Sequence, residues 1–127
     1  MRYLVILAAL GLAACVEEPI DGPTAYQENC ASCHGADGTG GGPAARDLAV
    51  APPDLTMIAS RNGGVFPTDR VMSTIDGLNR GAHFSNAMPE FGAGDMGETV
   101  IVENDGLGTP VPMQLLVLTQ YLESIQR

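Results

Sequence analysis

The chain has no lysine. Its 127 residues carry six basic side chains, all arginine, against 15 aspartates and glutamates, for a formal charge of −9 at pH 7. A nucleic-acid partner is disfavoured, because a run of phosphates would find little to neutralise it. The missing lysine also excludes a P-loop, in spite of the glycine-rich stretch from Gly38 to Gly42. Apolar runs are short, and none reaches the ~20 residues that a membrane-spanning helix needs. Alternation of apolar and polar residues is confined to one short stretch, so little of the chain is suited to a sheet. No internal repeat is visible. No nucleophile stands beside a base in a recognisable motif, and the scattered carboxylates read as solvated surface. The length is that of one domain.

Only three cysteines are present. The first, Cys15, closes an N-terminal segment with the parts of a secretion signal. Arg2 supplies the positive charge, residues 3–10 the short apolar core, and Leu12-Ala13-Ala14-Cys15 the small residues before a cleavage point. The Leu-Ala-Ala-Cys ending resembles a bacterial lipoprotein signal, in which the cysteine is lipidated and becomes the first residue. The expectation is removal of residues 1–14, a lipidated anchor and linker over 15–21, and a folded domain over 22–127. An ordinary signal peptide with Cys15 left free is the alternative, but an unpaired cysteine in an exported chain asks for a partner. The six residues 16–21 reach at most roughly 20 Å when extended, which would hold the domain close to the membrane surface.

The other two cysteines stand in Cys30-Ala31-Ser32-Cys33-His34. C-x-x-C-H is the pattern of c-type haem attachment. Two thiols that add to the two vinyl groups of one porphyrin must lie about a helical turn apart on one side. His34 then falls beneath the iron as an axial ligand. Two other readings use the same residues. A thioredoxin-like pair would sit near a βαβ pattern, and none is visible. A zinc site needs four ligands; only Cys30, Cys33, His34 and His83 are on offer, and adjacent Cys33 and His34 would chelate one metal poorly.

Helical patterns dominate the rest. A first helix begins at Asp21 or Thr24 and runs to Cys33, with Thr24 and Gln27 at capping-box spacing and Pro23 near its start. Residues 35–43 form a glycine-rich loop. Ala51-Pro52-Pro53 is extended, and a short helix follows over 55–61 until Asn62-Gly63-Gly64. Thr68 caps a helix that reaches about Arg80 and ends at Gly81, with Val71, Ile75 and Leu78 on one face. Residues 99–102 are strand-like and Asn104-Asp105-Gly106 is a turn signal, but Pro110 and Pro112 argue against a long return strand. The last helix covers 112–126, with Thr109 and Pro110 as its start signals and Leu115, Leu118, Leu122 and Ile125 along one face. The fold class expected is mainly α.

A six-coordinate haem iron needs a second ligand. The candidates are His83, Met57, Met72, Met88, Met96 and Met113. Met72 and Met113 fall on helices, where methionine usually fills core. Met88 is followed by Pro89, which restricts it to an extended backbone and so helps to aim it from a loop. Phe91 is close enough in sequence to cover a haem edge. His83 is the main rival and Met96 the next; an exposed loop histidine with no role is the plain reading of His83.

Cys-Ala-Ser-Cys-His-Gly from Cys30, then Gly42-Pro43, Met88-Pro89 and a last helix bearing Leu118 and Tyr121 together resemble class I cytochrome c. The likeness covers nearly all of the mature chain. It implies a fold in which the N- and C-terminal helices cross at a glycine and an aromatic, here Gly22 and Tyr26 against Leu118 and Tyr121, with one haem c enclosed by helices and loops. It implies thioethers at Cys30 and Cys33, His34 as proximal ligand and Met88 as distal ligand. It also implies that the Pro43 carbonyl accepts the His34 Nδ1–H. Two features depart from the family. Its docking lysines are absent, and residues 97–108 are more than a compact domain needs before the last helix. That segment reads as a docking flap or, more simply, as a tolerated surface insertion.

The function expected is single-electron transfer rather than enzymatic catalysis, by a monohaem protein lipid-anchored on the periplasmic side of a bacterial membrane, inner or outer. Its partners would be redox proteins with a basic or apolar docking patch. The competing expectations are a haem subunit fixed in a membrane oxidase or reductase, and a ligand-binding sensor or peroxidase with an open iron.

Overall fold

Gly22 has no side chain, and the whole arrangement uses that. The computed structural model describes residues 21–78, 87–104 and 106–127; the signal segment, Cys15 and His83 lie outside them. Helix α1 (Gly22–Asn29) crosses helix α5 (Met113–Ser124) at Gly22. A Cβ on Gly22 would come within 2.5 Å of the Val117 carbonyl oxygen and 2.7 Å of the Tyr121 Cβ. One turn further along α1, Tyr26 packs its ring on Tyr121 with centroids 5.1 Å apart and planes tilted by 50°, a favourable aromatic geometry. Tyr26 and Leu118 are both fully buried. The crossing expected from the family resemblance is therefore present at the residues named for it.

The N-terminus of α1 is capped by Asp21 rather than by Thr24: the Asp21 carboxylate accepts the Thr24 N–H at 2.7 Å. That bond holds the Asp21 carboxyl below the usual range. Gln27 does not close a capping box; its amide donates to the Ala36 carbonyl at 3.0 Å instead. The expected single helix is broken at Cys30, after which α2 (Ala31–His34) makes one further turn.

Helix α3 (Ile58–Arg61) follows a 3-10 turn over Leu55–Met57, as the short helical pattern predicts. Asp54 caps the 3-10 turn by accepting from the Thr56 amide at 2.8 Å and the Thr56 hydroxyl at 2.6 Å. Gln126 then ties this turn to the end of α5. Its oxygen accepts from the Ala59 amide at 2.8 Å, and its nitrogen donates to the Leu55 carbonyl at 2.8 Å.

Helix α4 (Thr68–Asp76) starts with Pro67, not Thr68, at the capping position and stops sooner than its apolar period suggests. Gly77 takes φ 99°, ψ 1° and ends it in a left-handed turn, with the Leu78 amide reaching back to the Ser73 carbonyl at 2.9 Å. Val71 and Ile75 are buried as expected, but Leu78 falls beyond the helix and is 82% exposed.

Strands β1 (Thr99–Asn104) and β2 (Leu107–Pro112) form an antiparallel hairpin, so the return strand doubted on account of its prolines exists. Pro110 and Pro112 face Ile101 and Thr99, two residues apart in the register. Both prolines thus occupy the alternate positions whose N–H would point away from the partner strand. Val111 is buried and Val102 packs on the core, whereas Ile101 on the other face is exposed. The helix expected from Pro112 begins at Met113, because Thr109 and Pro110 are taken up by β2. The Met113 and Gln114 amides, unpaired within the helix, donate to the Glu98 and Met96 carbonyls at 2.7 and 3.3 Å. The core is thus made by α1, α4, α5 and the inner hairpin face, with Leu115, Leu118 and Leu122 along α5.

Gly22→Ala is expected to destabilise the protein by about 1–3 kcal/mol, the usual cost of forcing an extra carbon into a packed interface. Urea unfolding of the holoprotein checks this; an unchanged midpoint would show that the two helices do not depend on contact at this point.

Candidate functional site

The break after α1 is what builds the site. Cys30 ends one helix and caps the next, with its carbonyl accepting from the Cys33 and His34 amides at 3.1 and 2.9 Å. The turn carries Cys30, Cys33 and His34 onto the wall of one cavity. Both cysteines are free of any disulfide. The chain after His34 is held back against the helices: the Tyr26 hydroxyl donates to the Gly35 carbonyl at 2.7 Å, and the Gly40 amide donates to the His34 carbonyl at 2.8 Å. Burial, with the neighbouring Cys30 and Tyr121 adding to it, pushes the Tyr26 phenol up to about 12. The hydroxyl therefore stays a neutral donor at any physiological pH.

The cavity has a volume of about 430 Å³, within the usual ~300–1,000 Å³ range of small-molecule and cofactor pockets. Other wall segments come from α4 through Val71 and Ile75, from α5 through Leu118 and Leu122, and from the segment Ala87-Met88-Pro89 with Phe91. The lining is largely apolar, and no carboxylate belongs to it among the described residues.

Burial lowers the pKa of His34, against a smaller opposing effect of its contact with the Pro53 carbonyl. The imidazole is therefore neutral at pH 7, the form that can bind a metal. Burial, together with Cys33, pushes the Cys30 thiol up to about 11. Redox-active cysteines need the opposite shift, towards an accessible thiolate, so the thioredoxin-like reading loses its chemistry.

One expected contact is replaced. His34 Nδ1 lies 3.4 Å from the Pro53 carbonyl oxygen, not from that of Pro43. Pro43 opens a 3-10 turn over Pro43–Asp47 and does not line the cavity. Pro52 and Pro53 do line it, in an extended stretch. Consecutive prolines hold such a stretch open and bring no N–H of their own, which leaves a carbonyl to face the ring. The contact is long for a hydrogen bond, but it leaves Nε2 as the nitrogen available to a metal.

Met88 shares the cavity with His34. The other described methionines do not line it. Met96 is buried in the core and Met72 packs against that core, while Met57 and Met113 are 37% and 40% exposed. Two arginines, Arg61 and Arg70, also stand on the wall; the sequence offered only their scarcity as a signal.

The residues fit a covalently held haem. Two free thiols one turn apart, a neutral histidine beside them and a sulfur-bearing side chain on the same apolar cavity are the donor set such a group requires. The family model for cytochrome c matches residues 20–98. No curated protein and no solved structure matches the chain significantly. The matched stretch holds α1 to α4, both thiols, His34 and Met88, and it ends just before the hairpin. With more than half its length under that match and its attachment motif on the cavity wall, the chain belongs to the cytochrome c family, electron-carrying proteins that bind haem c covalently.

Proposed function

We propose that this cytochrome carries single electrons between redox proteins on the periplasmic side of a bacterial membrane, anchored through a lipid on Cys15, with His34 and Met88 as the two axial ligands of one haem. The observation that carries the reading is an apolar cavity lined by Cys30, Cys33, His34 and Met88 together.

Haem supplies a one-electron Fe(III)/Fe(II) couple. The chain's own residues decide how that couple is used. Cys30 and Cys33 would hold the macrocycle covalently, so that it is not lost during turnover. His34, kept neutral by burial and with Pro53 at its Nδ1, presents Nε2. Met88, between Ala87 and Pro89, presents a thioether from a backbone that proline keeps extended. With His34 and Met88 both holding the iron, no position would be left for a substrate, which favours electron transfer over ligand binding. A thioether raises the reduction potential relative to a second histidine. Leu118, Leu122, Val71 and Ile75 exclude water around the site. The acidic surface directs the carrier to partners with basic or apolar patches, and electron-transfer encounters of this kind use small interfaces.

The anchor rests on sequence: Cys15 ends a lipoprotein-like signal, and the linker to Asp21 is short. Among the described residues no helix is long and apolar enough to cross a membrane. Several acyl chains would hold the protein stably, each buried CH₂ contributing about 0.8 kcal/mol.

Met88→Ala is expected to abolish the sulfur-to-iron charge-transfer band of the oxidised protein and to lower its potential. Survival of the band in this variant, with loss in Met96→Ala, would contradict the ligand assignment. Cys15→Ser is expected to move the protein from the membrane fraction to the soluble periplasmic fraction; retention in the membrane would rule out the lipid anchor.

A further inference from the structure

We propose that the free edge of β1 pairs with the same edge of a second copy of this chain, joining two hairpins into one four-stranded antiparallel sheet. The proposal rests on backbone directions in the hairpin, and neither the haem nor the anchor enters it. The family match ends at residue 98, so the hairpin lies outside the matched stretch.

The Met113 amide donates to the Glu98 carbonyl at 2.7 Å. These residues stand one step before Thr99 and Pro112 in the register and make a directly bonded pair. In an antiparallel ladder, bonded pairs alternate with pairs whose backbone groups point outward. Val100↔Val111 and Val102↔Thr109 are therefore bonded pairs. Thr99, Ile101 and Glu103 turn their N–H and C=O groups away from β2, and Gly108, Pro110 and Pro112 turn theirs away from β1.

The two edges differ. Along β2, Pro110 and Pro112 have no N–H to offer, which closes that edge to a further strand. Along β1, three N–H groups and three carbonyls point outward. Among the described residues no hydrogen bond from the rest of the chain reaches them. Thr99, Ile101 and Glu103 are exposed, Ile101 at 66%. An open edge of this kind is a template for another strand.

A second copy of β1 fits it. With Ile101 opposite Ile101 of the second copy, in the antiparallel sense, every outward N–H meets an outward carbonyl. Ile101 bonds with Ile101, and Thr99 with Glu103 in both directions. The side chains agree with that register. Two isoleucines meet at the two-fold centre, Val100 stands opposite Val102, and each Glu103 faces a threonine rather than a carboxylate. β-Branched pairs stabilise a sheet, whereas like charges directly opposite would oppose it. Because proline closes both β2 edges, the pairing stops at two copies. The contact is isologous and cannot extend into a filament.

Each copy carries −9, which opposes the approach of two chains. Salt screens that repulsion, with a Debye length of about 8 Å at physiological ionic strength. The dimer therefore tightens as salt rises. A basic strand from a different protein on the same edge would show the opposite salt dependence.

The test uses the haem-loaded full chain carrying Cys15→Ser, so that no lipid brings copies together. Sedimentation velocity is run at graded concentrations in low and high salt, with amide hydrogen exchange at both ends of the concentration range. The expected result is a monomer–dimer equilibrium whose Kd falls several-fold from low to high salt, with several-fold slower exchange at Thr99, Ile101 and Glu103 in the dimer. Ile101→Pro removes the central outward N–H, at a position where proline leaves the hairpin's own ladder intact, and abolishes the dimer. Ile101→Glu sets two carboxylates face to face and also abolishes it. Leu107→Glu makes the same charge change at an exposed position turned away from the β1 edge and leaves the dimer in place. Should Ile101→Pro fail to fold, Ile101→Glu is read in its place against Leu107→Glu. A monomer at every concentration up to about 1 mM, the weak end of specific association, overturns the proposal. So does a dimer that survives the Ile101 variants, leaves the three amides unprotected, or loosens as salt rises.

Discussion

The close approach of α1 and α5 is the constraint on which the rest depends. Because Gly22 lets the backbone of α1 rest on Val117 and Tyr121, Tyr26 reaches the centre of the core and is fully buried there. Tyr26 then holds the Gly35 carbonyl, which fixes the chain just after His34. The attachment motif is thus positioned from both sides, by the helix before it and by the loop after it. Leu118 and Leu122 belong at once to the helix crossing and to the cavity wall. Displacing one helix would move the thiols and open the cavity in a single step.

Within that frame, burial does most of the chemical tuning. It keeps His34 neutral, which suits a metal ligand, and it raises the Cys30 thiol to about 11, which removes it from redox exchange. Both shifts come from the same apolar lining. Among the described residues, charge enters that lining through Arg61 and Arg70, while the chain as a whole is strongly acidic.

Much of this was legible in the sequence, and the failures have physical causes. The helices expected from Thr68 to about Arg80 and over 112–126 are found at 68–76 and 113–124, because apolar period leaves a local trace, while the crossing residues Gly22, Tyr26, Leu118 and Tyr121 were implied by the family resemblance. Leu78 misled because a left-handed glycine, which periodicity does not register, stops α4 one residue before it. Pro110 and Pro112 misled because proline is hostile to a sheet interior but harmless at the outward-facing positions of a two-stranded ribbon, and only the register reveals which positions those are. In the site, the thiols, His34 and Met88 share a cavity, as their motif context suggested. The carbonyl beside His34 was sought at Pro43 and stands at Pro53; loop length hides which of two prolines folds back. The Gln126 bridge to α3 joins elements far apart in the chain and leaves no periodic signal.

The central claim is that the chain fills both faces of its iron, so that electrons and not ligands are its cargo. Mixing the reduced holoprotein with carbon monoxide at neutral pH, and following the Soret band, tests it most directly. The account predicts an unchanged spectrum. Rapid and complete formation of a carbon monoxide adduct would contradict it.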